Sequence, residues 1–145
     1  MNDYANFLSK KIRRFHDVGF DAETSHYPDA LKDWQSKIVT TAAQKGRFAL
    51  WADTGLGKTI MQLTWADQVA RHTGKPVLVL TPLAVSTQTK KEAERFGLGA
   101  QIITEPTTSG APIHISNYQK LHKLSPQMYG GVVLDESSIL KAFMG

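Results

Sequence analysis

Apolar positions recur along this chain in two rhythms. Leu31, Trp34, Ile38, Val39 and Ala42 stand at helical spacing, Pro28 suits a first helical position, and Gly46 supplies a stop. FALWA, 48–52, is a short run of the buried-strand type. Helical spacing returns from Lys58 to His72, with Ile60, Leu63 and Ala70 on one stripe and Met61, Trp65 and Val69 on another. A helix apolar on two sides packs inside, and Gly74 and Pro76 end it. VLVLT, 77–81, is continuously apolar, as a parallel strand covered on both faces should be. Residues 84–96 read as a helix with Val85, Ala93 and Phe96 inward, followed by Gly97. QIIT at 101–104, IHIS at 113–116 and VVL at 132–134 read as further strands, the last of them buried, and YQKLHKL at 118–124 as a short helix. Residues 1–26 form a polar lead-in with a helix expected over 4–15.

Strands alternating with helices predict an α/β fold with a mostly parallel sheet flanked by helices. Ligands in such sheets bind beyond the carboxyl ends of the strands. The two conspicuous polar stretches, 52–59 and 135–136, each follow a predicted strand at that end.

A length of 145 residues suits one domain, which at this size buries roughly 68–70% of its unfolded surface. The balance of 17 Lys and Arg against 13 Asp and Glu gives a formal charge of +4, a mild bias toward a polyanionic partner. The cluster Lys10, Lys11, Arg13 and Arg14 reads as a solvated helix face. There is no cysteine, so disulfides and thiolate zinc sites are excluded and a reducing compartment fits. The five histidines show no i, i+4 pair on a predicted helix, so no metal site is supported through them. The first residues lack the apolar core of a secretory signal. No run approaches the ~18 apolar residues that span a bilayer. These features predict a cytoplasmic protein without a membrane partner.

The stretch ADTGLGKT, 52–59, carries the chemistry of phosphate binding. Gly55 and Gly57 let the backbone approach a phosphate closely. The N–H groups of the loop residues Thr54, Gly55, Leu56 and Gly57, with the positive end of the helix opening at Lys58, form an anion site. Lys58 can reach the β- and γ-phosphates, and the Thr59 hydroxyl can ligate Mg²⁺. The pattern G-x-x-x-x-G-K-[ST] is met except at its first position, where Ala52 stands. Downstream, the strand VVL runs into Asp135-Glu136. Asp135 is placed to hold Mg²⁺, and Glu136 to orient or deprotonate an attacking water, which points to hydrolysis.

In the order of these motifs the chain resembles the first RecA-like domain of superfamily II helicases and translocases, most of all Swi/Snf-like members from phages and prophages. The resemblance covers almost all of 28–145 and sets a boundary between a lead-in segment, 1–27, and the ATP-binding domain, 28–145. LKDWQ, 31–35, is similar to the upstream glutamine motif, which implies that Gln35 presents its amide to adenine. ADTGLGKT resembles motif I, VLTPLAVSTQTKKEAERFG at 79–97 motif Ia, ISNYQKL at 115–121 motif Ib, and VVLDESSILK at 132–141 motif II, with Ser137-Ser138 in place of the last two letters of DEAD or DEAH. The resemblance implies ATP and Mg²⁺ as cofactors. It implies nucleic acid, preferentially DNA, as partner, contacted from Thr81, Leu83, Asn117 and Tyr118. For Asn117 helix capping is the alternative duty, and for Trp34, Trp51 and Trp65 core packing outweighs base stacking.

The resemblance further implies a motif III strand and a second RecA-like domain bearing an arginine finger beyond Gly145, so the 145-residue chain alone is expected to bind ATP weakly and hydrolyse almost none. Without that strand, the sheet is expected to gape, to pair the strands of motifs I and II directly, or to expose edges. Two other classes fit the same loop. One is a short nucleotide- or partner-binding regulatory module without turnover, and the other a small-molecule P-loop kinase, for which no substrate lid is visible.

Overall fold

The computed structural model describes residues 19–46, 58–107 and 110–135. Three α-helices and four strands are formed there, with short 3₁₀ turns between them: α1 (Asp33–Lys45), α2 (Lys58–Thr73), β1 (Val77–Thr81), α3 (Ser86–Arg95), β2 (Ala100–Ile102), β3 (Ile113–Asn117) and β4 (Gly131–Leu134). The strands make one sheet in the order β2-β3-β1-β4, and every pairing is parallel. The expected helix over 4–15 and strand over 48–52 lie outside the described residues.

β1 is the centre. All five of its residues are buried, and it pairs β3 from Val77↔Ile113 to Thr81↔Asn117 and β4 from Val77↔Gly131 to Leu80↔Leu134. Side chains alternate across the sheet, so the two faces carry different cores. Val77, Val79, Ile113, Ile115 and Val133 pack with Leu63, Ala66, Val69 and Ala70 of α2 and Ala93 of α3. Leu78 and Leu80 face the other way, onto Ile103, Tyr118, Leu124 and Tyr129. α1 lies outside α2, joined to it through Val39, Ile60 and Met61. This explains the two apolar stripes of α2, which is wedged between the sheet and α1.

Several boundaries differ from the expectation, each for a local reason. α1 begins at Asp33, not at Pro28. The carbonyl of Pro28 accepts the N–H of Leu31 in a turn at 3.0 Å, and Lys32 is extended, so the helix can start only after it. Its end falls as expected at Gly46, whose φ of 77° suits a residue without a β-carbon. A 3₁₀ turn, Leu83–Val85, precedes α3, and Val85 is exposed rather than inward. With the helix starting at Ser86, its inner face is Ser86, Thr89 and Ala93, and Phe96 is half-buried. The stretch read as a short helix is a 3₁₀ helix, Tyr118–Lys123. β4 is an edge strand among the described residues: only Val133 is buried, and Val132 and Leu134 are exposed. Trp65 is half-buried against two cores, whereas Trp34, in the first turn of α1, is exposed.

Residues 19–23 are bonded to the first two helices. Gly19 and Phe20 donate their N–H groups to the carbonyls of Gln44 and Ala43 at the end of α1, and Phe20 stacks on His72 of α2. Gln68, 2% exposed, accepts the N–H of Glu23 at 2.9 Å and donates to the Glu23 carbonyl at 3.0 Å. Gln68→Met keeps the shape and loses both bonds, a cost of roughly 1–3 kcal/mol at the usual net value per hydrogen bond. Urea denaturation of variant and parent should show that loss at unchanged m-value.

Candidate functional site

In a parallel sheet all strands end on one edge. Here Thr81 of β1 pairs with Asn117 of β3, and the N–H of Asp135 continues the β4 ladder by donating to the Leu80 carbonyl at 2.9 Å. α2 packs on β1, β3 and β4, and its first residue, Lys58, arrives at the same edge. The outcome is an ion pair between Lys58 Nζ and Asp135 Oδ1 at 3.4 Å, with the side chains 23% and 20% exposed. The fold therefore brings together the lysine of the glycine loop and the first carboxylate of the later acidic pair. Thr59 follows Lys58 in the first turn of α2 and is half-buried. Thr54, Gly55, Leu56, Gly57 and Glu136 lie outside the described residues.

The donor set suits Mg²⁺. A carboxylate and a hydroxyl are hard oxygen ligands of the kind that ion takes, with phosphate oxygens and water completing the shell. Among the described residues no group of three or more His, Asp or Glu side chains could hold a metal ion, so a metal held mainly by protein side chains has no such cage there. No helix among them is long and apolar enough to cross a membrane.

Gln35 is buried in the first turn of α1, where its Oε1 accepts the N–H of Lys32 at 2.9 Å. That bond satisfies one of the orphan donors at the helix start and fixes the orientation of the amide. The four residues singled out for nucleic-acid contact all sit at the carboxyl edge, in different settings. Thr81 is buried, its hydroxyl 2.8 Å from that of Ser86. Asn117 is buried, and its Oδ1 accepts the N–H of Lys120 at 3.2 Å, capping the Tyr118–Lys123 turn. Tyr118 is buried, and its hydroxyl donates to the Asp135 carbonyl at 2.7 Å. Leu83 stands 67% exposed at the start of the turn after β1. The Tyr118–Asp135 bond was not legible in the sequence, because nothing in the spacing of two distant residues marks a hydrogen bond between a side chain and a backbone carbonyl.

The model of the family described as type III restriction enzyme, res subunit, matches residues 23–140. The chain belongs to this family. It is therefore helicase-like, of the superfamily II kind. Among solved structures, the SWI2/SNF2 ATPase core of Sulfolobus solfataricus in complex with dsDNA is similar at a TM-score of 0.68 and 21% identity, over 87% of this chain and 30% of that one. This likeness shows that the chain has the RecA-like fold of that core. A comparison with curated proteins gives no match.

Within this fold the Asn117 cap has a measurable role. Asn117→Ala removes the acceptor for Lys120 N–H and should lower stability by about 1 kcal/mol, the usual worth of such a cap. Chemical denaturation of the folded chain checks it, and an unchanged midpoint would mean that the turn is held by Tyr118 alone.

Proposed function

We propose that this chain is the nucleotide-binding half of a nucleic-acid-dependent ATPase, a first RecA-like domain over 28–145 whose hydrolysis of ATP-Mg²⁺ drives translocation on DNA or its unwinding. The observation that carries the reading is the Lys58–Asp135 pair at the carboxyl edge of a parallel sheet, 3.4 Å apart, in a chain of the res-subunit family. In the free protein the ammonium neutralises the carboxylate. When nucleotide enters, Lys58 turns to the β- and γ-phosphates, and Asp135 and Thr59 face the metal. Bound Mg²⁺ supplies charge neutralisation on the phosphate oxygens. A pair this exposed contributes little to folding and so gives way at small cost.

The remaining roles belong to the same proposal. The N–H groups of Thr54, Gly55, Leu56 and Gly57 cradle the phosphates, Gln35 reads adenine, and Glu136 takes the proton of the attacking water. The carboxyl edge around Thr81, Leu83, Asn117 and Tyr118 faces the nucleic acid. For Thr81, Asn117 and Tyr118 the contribution is through the backbone and the turn each one shapes, since these side chains are turned inward. The solved relative's complex with double-stranded DNA favours DNA as the partner. A second RecA-like domain supplies the arginine finger, and the sequence Asp135-Glu136-Ser137-Ser138 supports kinship with phage-type Swi/Snf-like proteins acting in the cytoplasm.

Lys58→Ala removes charge-assisted hydrogen bonds worth roughly 1.5–3 kcal/mol, so ATP affinity should fall about 10- to 150-fold with little change in folding. Calorimetric titration checks this, and equal affinities would overturn the phosphate-loop assignment. Glu136→Gln, assayed together with a second RecA-like domain, should retain ATP binding and slow hydrolysis by about 10²–10⁴. Turnover within threefold of the parent would remove Glu136 from the role of water activator.

A further inference from the structure

We infer that Tyr118 is a positioning residue for the metal-binding end of β4: its hydroxyl fixes the Asp135 main chain and ties it to the turn after β3. The inference rests on the reading of Asp135 as the metal residue proposed above.

Asp135 is held from three elements. Its N–H donates to Leu80 on β1 at 2.9 Å, its carboxylate meets Lys58 on α2 at 3.4 Å, and its carbonyl accepts the Tyr118 hydroxyl at 2.7 Å. The first bond holds the strand and the second is exchangeable. The third fixes the Asp135 carbonyl, and with it the main chain from which the carboxylate projects. One hydroxyl therefore ties the main chain of the proposed metal residue to the turn after β3.

The hydroxyl is itself held by packing. Tyr118 is 5% exposed, with its ring among Leu78, Leu80, Leu124 and Tyr129, so packing leaves it little freedom. The backbone at Tyr118 opens the 3₁₀ turn that Asn117 caps through Lys120, and the last residues of that turn include Lys120, His122 and Lys123. Inward, the turn holds the site; outward, it presents exposed His122 and Lys123 beside half-buried Lys120. The same short element thus bears the basic side chains and the hydroxyl that orients Asp135.

The test is calorimetric binding of a non-hydrolysable ATP analogue to the whole chain, with Mg²⁺ varied, for parent, Asp135→Ala and Tyr118→Phe. The variant Tyr118→Phe keeps the ring and removes only the hydroxyl. Its Mg²⁺ concentration for half-maximal binding should rise at least threefold, and the gain in affinity from Mg²⁺ should shrink, with the circular dichroism spectrum of the parent. A role in folding alone would lower the melting temperature and leave the Mg²⁺ dependence in place, and that result overturns the inference. Asp135→Ala should abolish the gain from Mg²⁺. If it does not, the reading of Asp135 as a metal residue fails, and the role of Tyr118 fails with it. Should Tyr118→Phe not fold, amide exchange of the parent decides. Analogue with Mg²⁺ should slow exchange over Tyr118–Lys123 relative to analogue in EDTA, and equal rates overturn the inference.

Discussion

β1 is the constraint on which this structure depends. It is flanked by a strand on each edge and by an apolar core on each face, and all five of its residues are buried. A strand so placed has no tolerance for a shift in register, since moving it by one residue would exchange the two cores. Val77 and Val79 would then leave the helices, and Leu78 and Leu80 would leave Tyr118 and Tyr129. The fixed register also places Thr81 opposite Asn117 and the Leu80 carbonyl opposite Asp135 N–H. The carboxyl edge is therefore a consequence of packing near the middle of the sheet.

The charges at that edge are not what stabilises the fold. Lys58 and Asp135 are each about one-fifth exposed, and a partly solvated pair of this kind contributes modestly. A pair of this kind can be exchanged at small cost. In the proposed reading, the Lys58 ammonium leaves the Asp135 carboxylate for a phosphate. By contrast, the bonds of Gln68 to Glu23 and of Tyr118 to Asp135 involve buried side chains and main-chain partners. Exchangeable and fixed interactions are thus divided between side-chain charges and main-chain carbonyls.

Much of this arrangement was legible in the residues. VLVLT and IHIS announce interior parallel strands by their unbroken apolar character, and the two stripes of α2 announce a helix covered on two sides. The convergence of Lys58 and Asp135 follows once both are assigned to one sheet edge. What escaped the sequence were features set by distant partners or by the backbone. VVL reads as buried, yet Val132 and Leu134 are exposed, because burial depends on neighbours that periodicity does not name. Val85 reads as inward, but a 3₁₀ turn rotates it off the helix face. Trp34 is exposed in the first turn of α1 although its spacing matches the apolar stripe. The glycine-rich loop and Glu136, the most explicit signals in the sequence, lie outside the described residues.

The far end of α2 has a mechanical consequence. A β-carbon on Gly130 would overlap the Thr73 side chain, and one on Gly131 would stand 3.2 Å from Val69 and 3.3 Å from the Trp65 ring. The helix and the start of β4 thus touch with no room between them, at the opposite end of the sheet from Lys58 and Asp135. The consequence falls on substitution. A side chain at Gly130 would push Thr73 out of its bond to the Val69 carbonyl, and one at Gly131 would press on Val69 and the Trp65 ring. The separation of α2 from the start of β4 is thus set by two missing β-carbons.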